Sequence, residues 1–130
     1  MELYDSNRSA SAYRVRIALA LKGLDYRAIP LSLSRNGGEQ LLPEYRAVNP
    51  QGMLPSLVDD DFIVTQSLAI IEYLDETHPQ PPLLPADALG RARVRALAQI
   101  VACEIHPLNN LRVLKYLVHD LKASDDAKNA

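Results

Sequence analysis

One stretch, residues 49–67, constrains the fold of this chain more than any other. Pro55 directly precedes the short apolar run 56–58, and a proline is tolerated there at the first position of a strand or in a cis peptide bond. Three aspartates at 59–61 form a turn before a second apolar run, and Thr65-Gln66-Ser67 then begins a segment with helical periodicity. The stretch therefore predicts a β-hairpin followed by a helix.

The same stretch has the features of a peptide-binding site. Leu54 precedes a proline and is held extended, so we expect its backbone N–H and C=O to pair with a peptide-like ligand. The unpaired N–H groups at the start of the helix, near Gln66 and Ser67, favour an anion such as a carboxylate. These features predict a site for a small acidic peptide, although a plain hairpin and a capped helix explain the spacing equally well.

The pattern of the first 78 residues predicts an α/β domain. Residues 2–4 and 26–33 have strand character, and a helix over 10–22 between them, ended by Gly23, makes a βαβ unit with parallel strands. We expect this helix to be largely buried. A weak helix over 39–47, the hairpin and a helix over about 66–77 complete the order βαβαββα, which predicts a mixed four-stranded sheet.

The rest of the chain predicts helices. Four prolines between 79 and 85 make residues 79–86 a linker between a domain at 1–78 and a second one at 87–130. Asp87 is a candidate N-cap for a long helix that Pro107 should kink. Its apolar positions form a stripe that nothing else in the sequence covers, so we expect 87–130 to be the start of an incomplete all-α domain.

Composition and charge exclude several functions. With 14 basic and 16 acidic residues and a net charge of −2, the chain gives no electrostatic reason to expect nucleic acid or an anionic membrane as partner. The one cysteine, Cys103, excludes an internal disulfide and a multi-cysteine zinc site, and the three histidines are far apart. No run approaches the length of a membrane span. We expect a soluble cytoplasmic protein without a metal.

Three runs resemble a known family. They are residues 8–23, RSASAYRVRIALALKG, residues 66–74, QSLAIIEYL, and residues 105–111, IHPLNNL. Together with the Leu-Pro before the third strand, they resemble zeta-class glutathione S-transferases, the maleylacetoacetate and maleylpyruvate isomerases. The resemblance implies a thioredoxin-like N-terminal domain. It extends to about residue 117, and against the family the chain is short at its C-terminal side.

The resemblance also implies a reaction. Glutathione would be a catalytic cofactor whose thiolate adds to the cis double bond of a conjugated keto acid, followed by bond rotation and elimination. Ser9, at the start of the first helix, would be the catalytic hydroxyl, although a serine there is more often a cap. The family's Ser-Ser-Cys run is here Ser9-Ala10-Ser11, with Ser11 a partial substitute. Arg8 would bind a substrate carboxylate or developing charge, and a solvated loop arginine is an equal alternative.

Glutathione contacts follow from the same resemblance. Ser67 and Gln66 would hold the γ-glutamyl end, Leu54 would pair its backbone with the cysteinyl unit if Pro55 is cis, and Gln51 would reach the glycyl end. His106 and Asn110, four apart on one helical face after the linker, match positions that overhang the cleft. A histidine before a proline is otherwise a packing or surface residue.

Other functions stay open at this point. The resemblance implies a homodimer and a small acidic substrate, and a dehalogenating or conjugating transferase would share the glutathione site. A non-catalytic binding or assembly module on the same fold, or a truncated inactive chain, would also explain Ala10 and the uncovered apolar stripe.

Overall fold

The computed structural model describes residues 1–129, and the chain divides into two compact units, Met1–Leu84 and Pro85–Ala130. We call them the N-terminal unit and the C-terminal unit and describe each by itself.

The N-terminal unit is a mixed four-stranded sheet with helices. The elements are β1 (Glu2–Asp5), α1 (Ala10–Lys22), β2 (Arg27–Pro30), α2 (Pro43–Arg46), β3 (Ser56–Asp59), β4 (Phe62–Thr65) and α3 (Ser67–Thr77). Strand order is β2-β1-β3-β4, with β1 parallel to β2 and both other pairs antiparallel. The predicted order and the predicted mixed sheet are confirmed, and β2 is shorter than expected.

The core of this unit lies where α1 and α3 meet the central strands. Each helix contributes apolar side chains spaced four residues apart, which places them on one face. Each strand contributes a leucine, and the two leucines are partners across the β1–β3 pair. The fully buried members are Leu3, Val15, Leu19, Leu57, Ile70 and Leu74. Burying each contributes about 2 kcal/mol, so this cluster fixes α1 and α3, and with them the segments that precede each helix.

The prediction that α1 is largely buried was wrong for one of its faces. Ala12, Val15, Ala18, Leu19 and Lys22 are buried. Tyr13, Ile17 and Leu21 repeat every four residues on another face and are 57%, 44% and 62% exposed. Apolar residues occur on all sides of α1, so its sequence alone did not show which face is buried and which is exposed. The predicted end is confirmed, because Gly23 caps the helix at φ 64°.

Lys22 fixes the proline-rich segment to the N-terminal unit. Its buried Nζ donates to Asp75 Oδ1 at 2.8 Å and to the carbonyls of His78 and Pro81 at 2.7 and 2.9 Å. Asp75 Oδ1 also accepts the Leu83 N–H at 2.8 Å. Burial alone would raise the pKa of Asp75, but the hydrogen bonds from Lys22 and Leu83 outweigh it and lower that pKa. The three carbonyl and carboxylate oxygens satisfy all three ammonium protons.

The C-terminal unit is helical. It contains α4 (Ala88–Gln99), a π-helical segment (Ile100–Ile105), α5 (Leu111–His119) and α6 (Asp125–Asn129). The predicted N-cap is confirmed, since Asp87 accepts the Gly90 N–H at 2.7 Å. Several apolar residues of this unit are exposed, among them Leu97 at 59% and Leu108 at 70%. Over residues 1–129, no helix combines the length and apolarity needed to cross a membrane.

The break at Pro107 corrects one prediction. Residues 106–109 form a turn, and Asn110, with extended backbone at ψ 142°, is the N-cap of α5. Its side chain accepts the Arg112 N–H at 3.1 Å. His106 and Asn110 therefore do not share one face of a continuous helix. The physical reason is that a proline interrupts the helical hydrogen bonds and an asparagine is a good cap for the next helix.

Candidate functional site

The first turn of α1 is joined to the segment before Pro55. Ser9 is the N-cap of α1, and its Oγ accepts the Ala12 N–H at 3.2 Å. Ser9 Oγ lies 3.3 Å from Ser11 Oγ, and Ser11 Oγ donates to the Leu54 carbonyl at 3.1 Å, 43 positions away in sequence. The structure thus brings together three of the predicted site residues, Ser9, Ser11 and Leu54.

Proton counting shows which of these hydroxyls can change partner. A serine hydroxyl has one proton, and that of Ser11 is used on Leu54, so Ser9 donates in the Ser9–Ser11 contact. At 3.3 Å this contact is long for a hydroxyl hydrogen bond and therefore weak. The Ser9 hydroxyl can therefore leave Ser11 and donate to a stronger acceptor at little cost in free energy. An anionic acceptor is favoured there by the positive N-terminal end of the 13-residue helix α1.

A depression of about 330 Å³ opens beside Ser9. Its lining includes Arg8 and Arg16, together with Asn7, Ser9, Ala10 and Tyr13. Arg8 is exposed, whereas the Arg16 guanidinium lies 5.0 Å from the centre of the Tyr13 ring and its Nε lies 3.5 Å from Asp5 Oδ2. The exposed guanidinium of Arg8 makes this depression suitable for a small acid, whereas Asp5 offsets the charge of Arg16.

The hairpin brings two of the predicted amides together. The Leu54–Pro55 peptide bond is cis, which is the condition under which we expected Leu54 to pair its backbone with a ligand. Gln66 Nε2 donates to Gln51 Oε1 at 3.2 Å. Gln51 and Gln66 therefore lie side by side, although the sequence analysis assigned them to opposite ends of the same ligand.

The residue before α3 has an unusual backbone. Gln66 has φ 70° and ψ 118°, and α3 begins at Ser67 without a side-chain cap. A non-glycine residue in this region is strained by about 1–3 kcal/mol, and such residues concentrate at binding and catalytic sites. Ser67 is only 6% exposed. The first turn of α3 thus presents backbone N–H groups that its own side chains do not cap, as an anion site requires.

Arg14 is a site residue that the sequence analysis missed. Its Nη1 donates to Ser67 Oγ at 3.0 Å, so Ser67 keeps its own proton for another acceptor. Because the two residues are 53 positions apart, no local spacing indicated the contact.

Gln40 is the second residue that was missed. It is 8% exposed, and its Oε1 has no hydrogen-bond partner within residues 1–129. Its backbone oxygen would lie 3.0 Å from a Cβ added to Gly52, so it is close to the loop that leads to Leu54. A buried acceptor without a partner is rare and fits a donor from a ligand.

The remaining predicted residues lie in the other unit. His106 and Asn110 belong to the C-terminal unit, and their contact with a ligand stays a prediction. Within residues 1–129, no group of three or more His, Cys, Asp or Glu side chains is arranged to hold a metal ion.

Comparison with known proteins connects this site to a family. Residues 3–82 match the family model described as glutathione S-transferase, N-terminal domain. The chain is 58% identical over 118 residues to maleylacetoacetate isomerase of Pseudomonas aeruginosa, covering 90% of this chain and 56% of that protein. It is 48% identical over 130 residues to maleylpyruvate isomerase of a Ralstonia species, covering 100% of this chain and 60% of that protein.

Solved structures agree with these relatives. One is the holo structure of a maleylpyruvate isomerase, a bacterial glutathione S-transferase of the zeta class, with a TM-score of 0.93 at 48% identity over 99% of this chain and 60% of that chain. Another is maleylacetoacetate isomerase from Methylobacterium extorquens with bound malonate and glutathione, with a TM-score of 0.92 at 46% identity over 98% of this chain and 59% of that chain. The predicted thioredoxin-like fold class is confirmed. The chain spans between half and two thirds of the length of these relatives.

Proposed function

Because the chain belongs to the glutathione S-transferase family and its relatives include the zeta class, we propose that it is a glutathione-dependent cis-trans isomerase. The substrate is a conjugated keto acid, maleylacetoacetate or maleylpyruvate, as the names of the relatives suggest. The observation that carries the proposal is the chain of hydrogen bonds from Ser9 through Ser11 to Leu54, because it couples a helix-start hydroxyl to the backbone expected to hold the cysteinyl unit.

The residues of the N-terminal unit fit glutathione. Ser67 and Arg14, with Gln66 beside them, provide hydroxyl, cation and backbone donors for the γ-glutamyl carboxylate. Leu54 offers its backbone to the cysteinyl unit. Gln51, which accepts a hydrogen bond from Gln66, extends the site toward the glycyl end. Gln40 Oε1, which has no partner among residues 1–129, offers an acceptor to an amide of the tripeptide.

Bound glutathione supplies a thiolate that adds to the cis double bond and leaves again after rotation, giving the trans isomer. The Ser9 hydroxyl donates a hydrogen bond to the sulfur, and the N-terminal end of α1 lowers the thiol pKa by favouring its anion. Arg8 binds the substrate's carboxylate or the negative charge that develops on its keto oxygen. Ser11 positions Leu54 through the hydrogen bond from its Oγ to the Leu54 carbonyl and provides a second hydroxyl beside Ser9.

The C-terminal unit and the assembly complete the proposal. The contact of His106 and Asn110 with glutathione stays a prediction. The protein acts as a homodimer. The chemistry needs a reduced thiol, so we propose that the protein works in the cytoplasm or another reducing compartment.

The test is the rate at which maleylpyruvate and maleylacetone are isomerised, followed by absorbance with and without glutathione. We expect glutathione-dependent turnover that Ser9→Ala lowers at least about tenfold. Ser34→Ala, which removes an exposed serine far from Ser9 in sequence, serves as control and should leave turnover unchanged. Turnover that does not need glutathione would contradict the mechanism. Glutathione binding without any turnover would favour a non-catalytic module instead.

A further inference from the structure

A buried tyrosine holds the backbone on one side of Leu54. Tyr45, on α2, is 3% exposed, and its hydroxyl donates to the Met53 carbonyl at 2.6 Å. The same hydroxyl lies 2.7 Å from Ser56 Oγ, and Ser56 is fully buried. Tyr45 therefore contacts the residue before Leu54 and the residue after Pro55.

The direction of these bonds follows from the number of protons. The phenol has one proton, which it gives to Met53, so Ser56 donates its own proton to the phenol oxygen. Asn49 Nδ2 donates to the same Met53 carbonyl at 2.8 Å. Every polar atom of this small network thus has a partner, which is the condition under which a buried polar network fixes one conformation.

The ring of Tyr45 is itself held in place. It packs against the Tyr4 ring of β1 with centroids 5.4 Å apart and planes tilted by 45°. Burial raises the pKa of Tyr45, so its hydroxyl stays protonated and keeps its donor role at neutral and moderately alkaline pH. The phenol is therefore a permanent donor on a rigid support.

We propose that Tyr45 is a positioning residue for the cofactor site, whose hydroxyl fixes the Met53 carbonyl and thereby the backbone of Leu54. The proposal rests on the proposed glutathione site, because Leu54 is the residue expected to pair with the cysteinyl unit. Ser11 holds the Leu54 carbonyl from the other direction. Tyr45 does not contact the ligand in this proposal, and its effect on binding passes through residues 53 and 54.

The test compares three variants of the full chain. Tyr45→Phe removes the phenol proton and keeps the ring. Tyr73→Phe is the matched control, because it removes a phenol bond of 2.7 Å, to Asp59, in the same unit but away from Leu54. Ser56→Ala removes the donor to the phenol oxygen and leaves the bond from Tyr45 to Met53 in place.

Two readouts are measured. Isothermal titration calorimetry with reduced glutathione should show roughly three- to tenfold weaker binding for Tyr45→Phe and a change below about twofold for the other two variants. Hydrogen–deuterium exchange without ligand should be faster over residues 49–56 in Tyr45→Phe than in Tyr73→Phe, since fixing this backbone is the proposed role. Equal exchange over 49–56 in these two variants would overturn the proposal.

The two proposals fail in different ways. If calorimetry detects no heat of glutathione binding to the wild-type chain, the proposed function is wrong. Hydrogen–deuterium exchange over residues 49–56 then still tests whether Tyr45 fixes this backbone. If the wild type binds and Tyr45→Phe binds equally well, the positioning proposal is wrong and the proposed function stands. A lower melting temperature in Tyr45→Phe, with wild-type affinity and exchange, would reduce Tyr45 to a stabilising core residue and so overturn the proposal.

Discussion

The Arg14 guanidinium donates a hydrogen bond to the Ser67 hydroxyl at 3.0 Å, linking the first turns of α1 to the start of α3. This contact gives the anion site at α3 a full positive charge in addition to backbone N–H groups. It also orients the Ser67 hydroxyl, because an oxygen that accepts from Arg14 directs its own proton elsewhere.

We expect Arg14→Gln to weaken glutathione binding about tenfold, since it removes a charge-assisted hydrogen bond and a cation that contacts Ser67. Titration calorimetry with reduced glutathione measures the change. Arg27→Gln is the control, because Arg27 is a 69% exposed arginine paired with Glu2 and should keep wild-type affinity. Equal affinity in both variants would remove Arg14 from the site.

Ser9 combines a capping role with the proposed catalytic one, and two substitutions separate them. Ser9→Ala removes both and should lower the free energy of unfolding by about 1 kcal/mol along with turnover. Ser9→Asn retains a good capping acceptor but no hydroxyl, so its stability should stay near wild type while kcat falls at least about tenfold. Urea unfolding and isomerase kinetics on both variants provide the comparison. Wild-type kcat in Ser9→Asn would show that only the cap matters.

The Asp75 carboxylate should make stability depend on pH. Its pKa is lowered in the folded state, so its contribution is complete above the unfolded pKa of about 3.9 and is lost as pH falls through the lower folded value. Asp75→Asn should therefore lower the free energy of unfolding by about 3 kcal/mol at pH 7, because it weakens the ion pair with buried Lys22. In acid, where the wild-type carboxylate becomes protonated, the difference in stability between the variant and wild type should shrink.

Urea unfolding of wild type and Asp75→Asn between pH 7 and pH 3 checks this prediction. Asp61→Asn, in the exposed hairpin turn, is the control and should stay within about 0.5 kcal/mol of wild type at pH 7. A difference between wild type and Asp75→Asn that does not depend on pH would contradict the role given to the carboxylate.

Two glycines with positive φ allow steric and conformational effects to be separated. Gly37 and Gly52 have φ of 78° and 61°, and a Cβ on Gly37 would meet nothing within 4 Å, whereas one on Gly52 would lie 3.0 Å from the Gln40 carbonyl oxygen. Gly37→Ala should lose about 1 kcal/mol of stability through its backbone conformation alone. Gly52→Ala should lose more stability than Gly37→Ala and should also weaken glutathione binding, because Gln40 and the loop that leads to Leu54 must shift to make room for the Cβ.

Thermal unfolding and calorimetry on the two glycine variants test this difference. If Gly52→Ala lost no more stability than Gly37→Ala and bound glutathione normally, the packing of the loop against Gln40 would have no bearing on the site.

Features encoded by neighbouring residues could be predicted from the sequence. Gly23 ends α1, Asp87 caps α4, and Pro107 breaks the helix, because each acts on backbone within a few positions. At Pro107 the sequence predicted a kink, whereas the structure has a full break, so Asn110 was placed on the same helix as His106 although it caps α5.

The missed site residues share a different cause. The partners of Arg14 and Tyr45 are 53 and 8 to 11 positions away, and the unpartnered oxygen of Gln40 is a property of packing alone. From sequence alone, an arginine on an amphipathic helix is interpreted as a surface charge and a tyrosine as a core residue, because their hydrogen-bond partners are unknown. The resemblance to a family predicted Ser9, Leu54 and Ser67 as site residues, but the hydrogen bonds that hold them could be seen only in the structure.

The long sequence separation of the Ser11–Leu54 and Arg14–Ser67 contacts has a consequence for folding. These bonds join residues 43 and 53 positions apart, so no short fragment of the chain contains the site. The contacts require α1, the hairpin and α3 to be packed together, so an unfolded chain does not contain the site. Ligand then binds the native state selectively and should raise the melting temperature in proportion to the logarithm of its concentration above Kd, so thermal stability itself reports occupancy of the site.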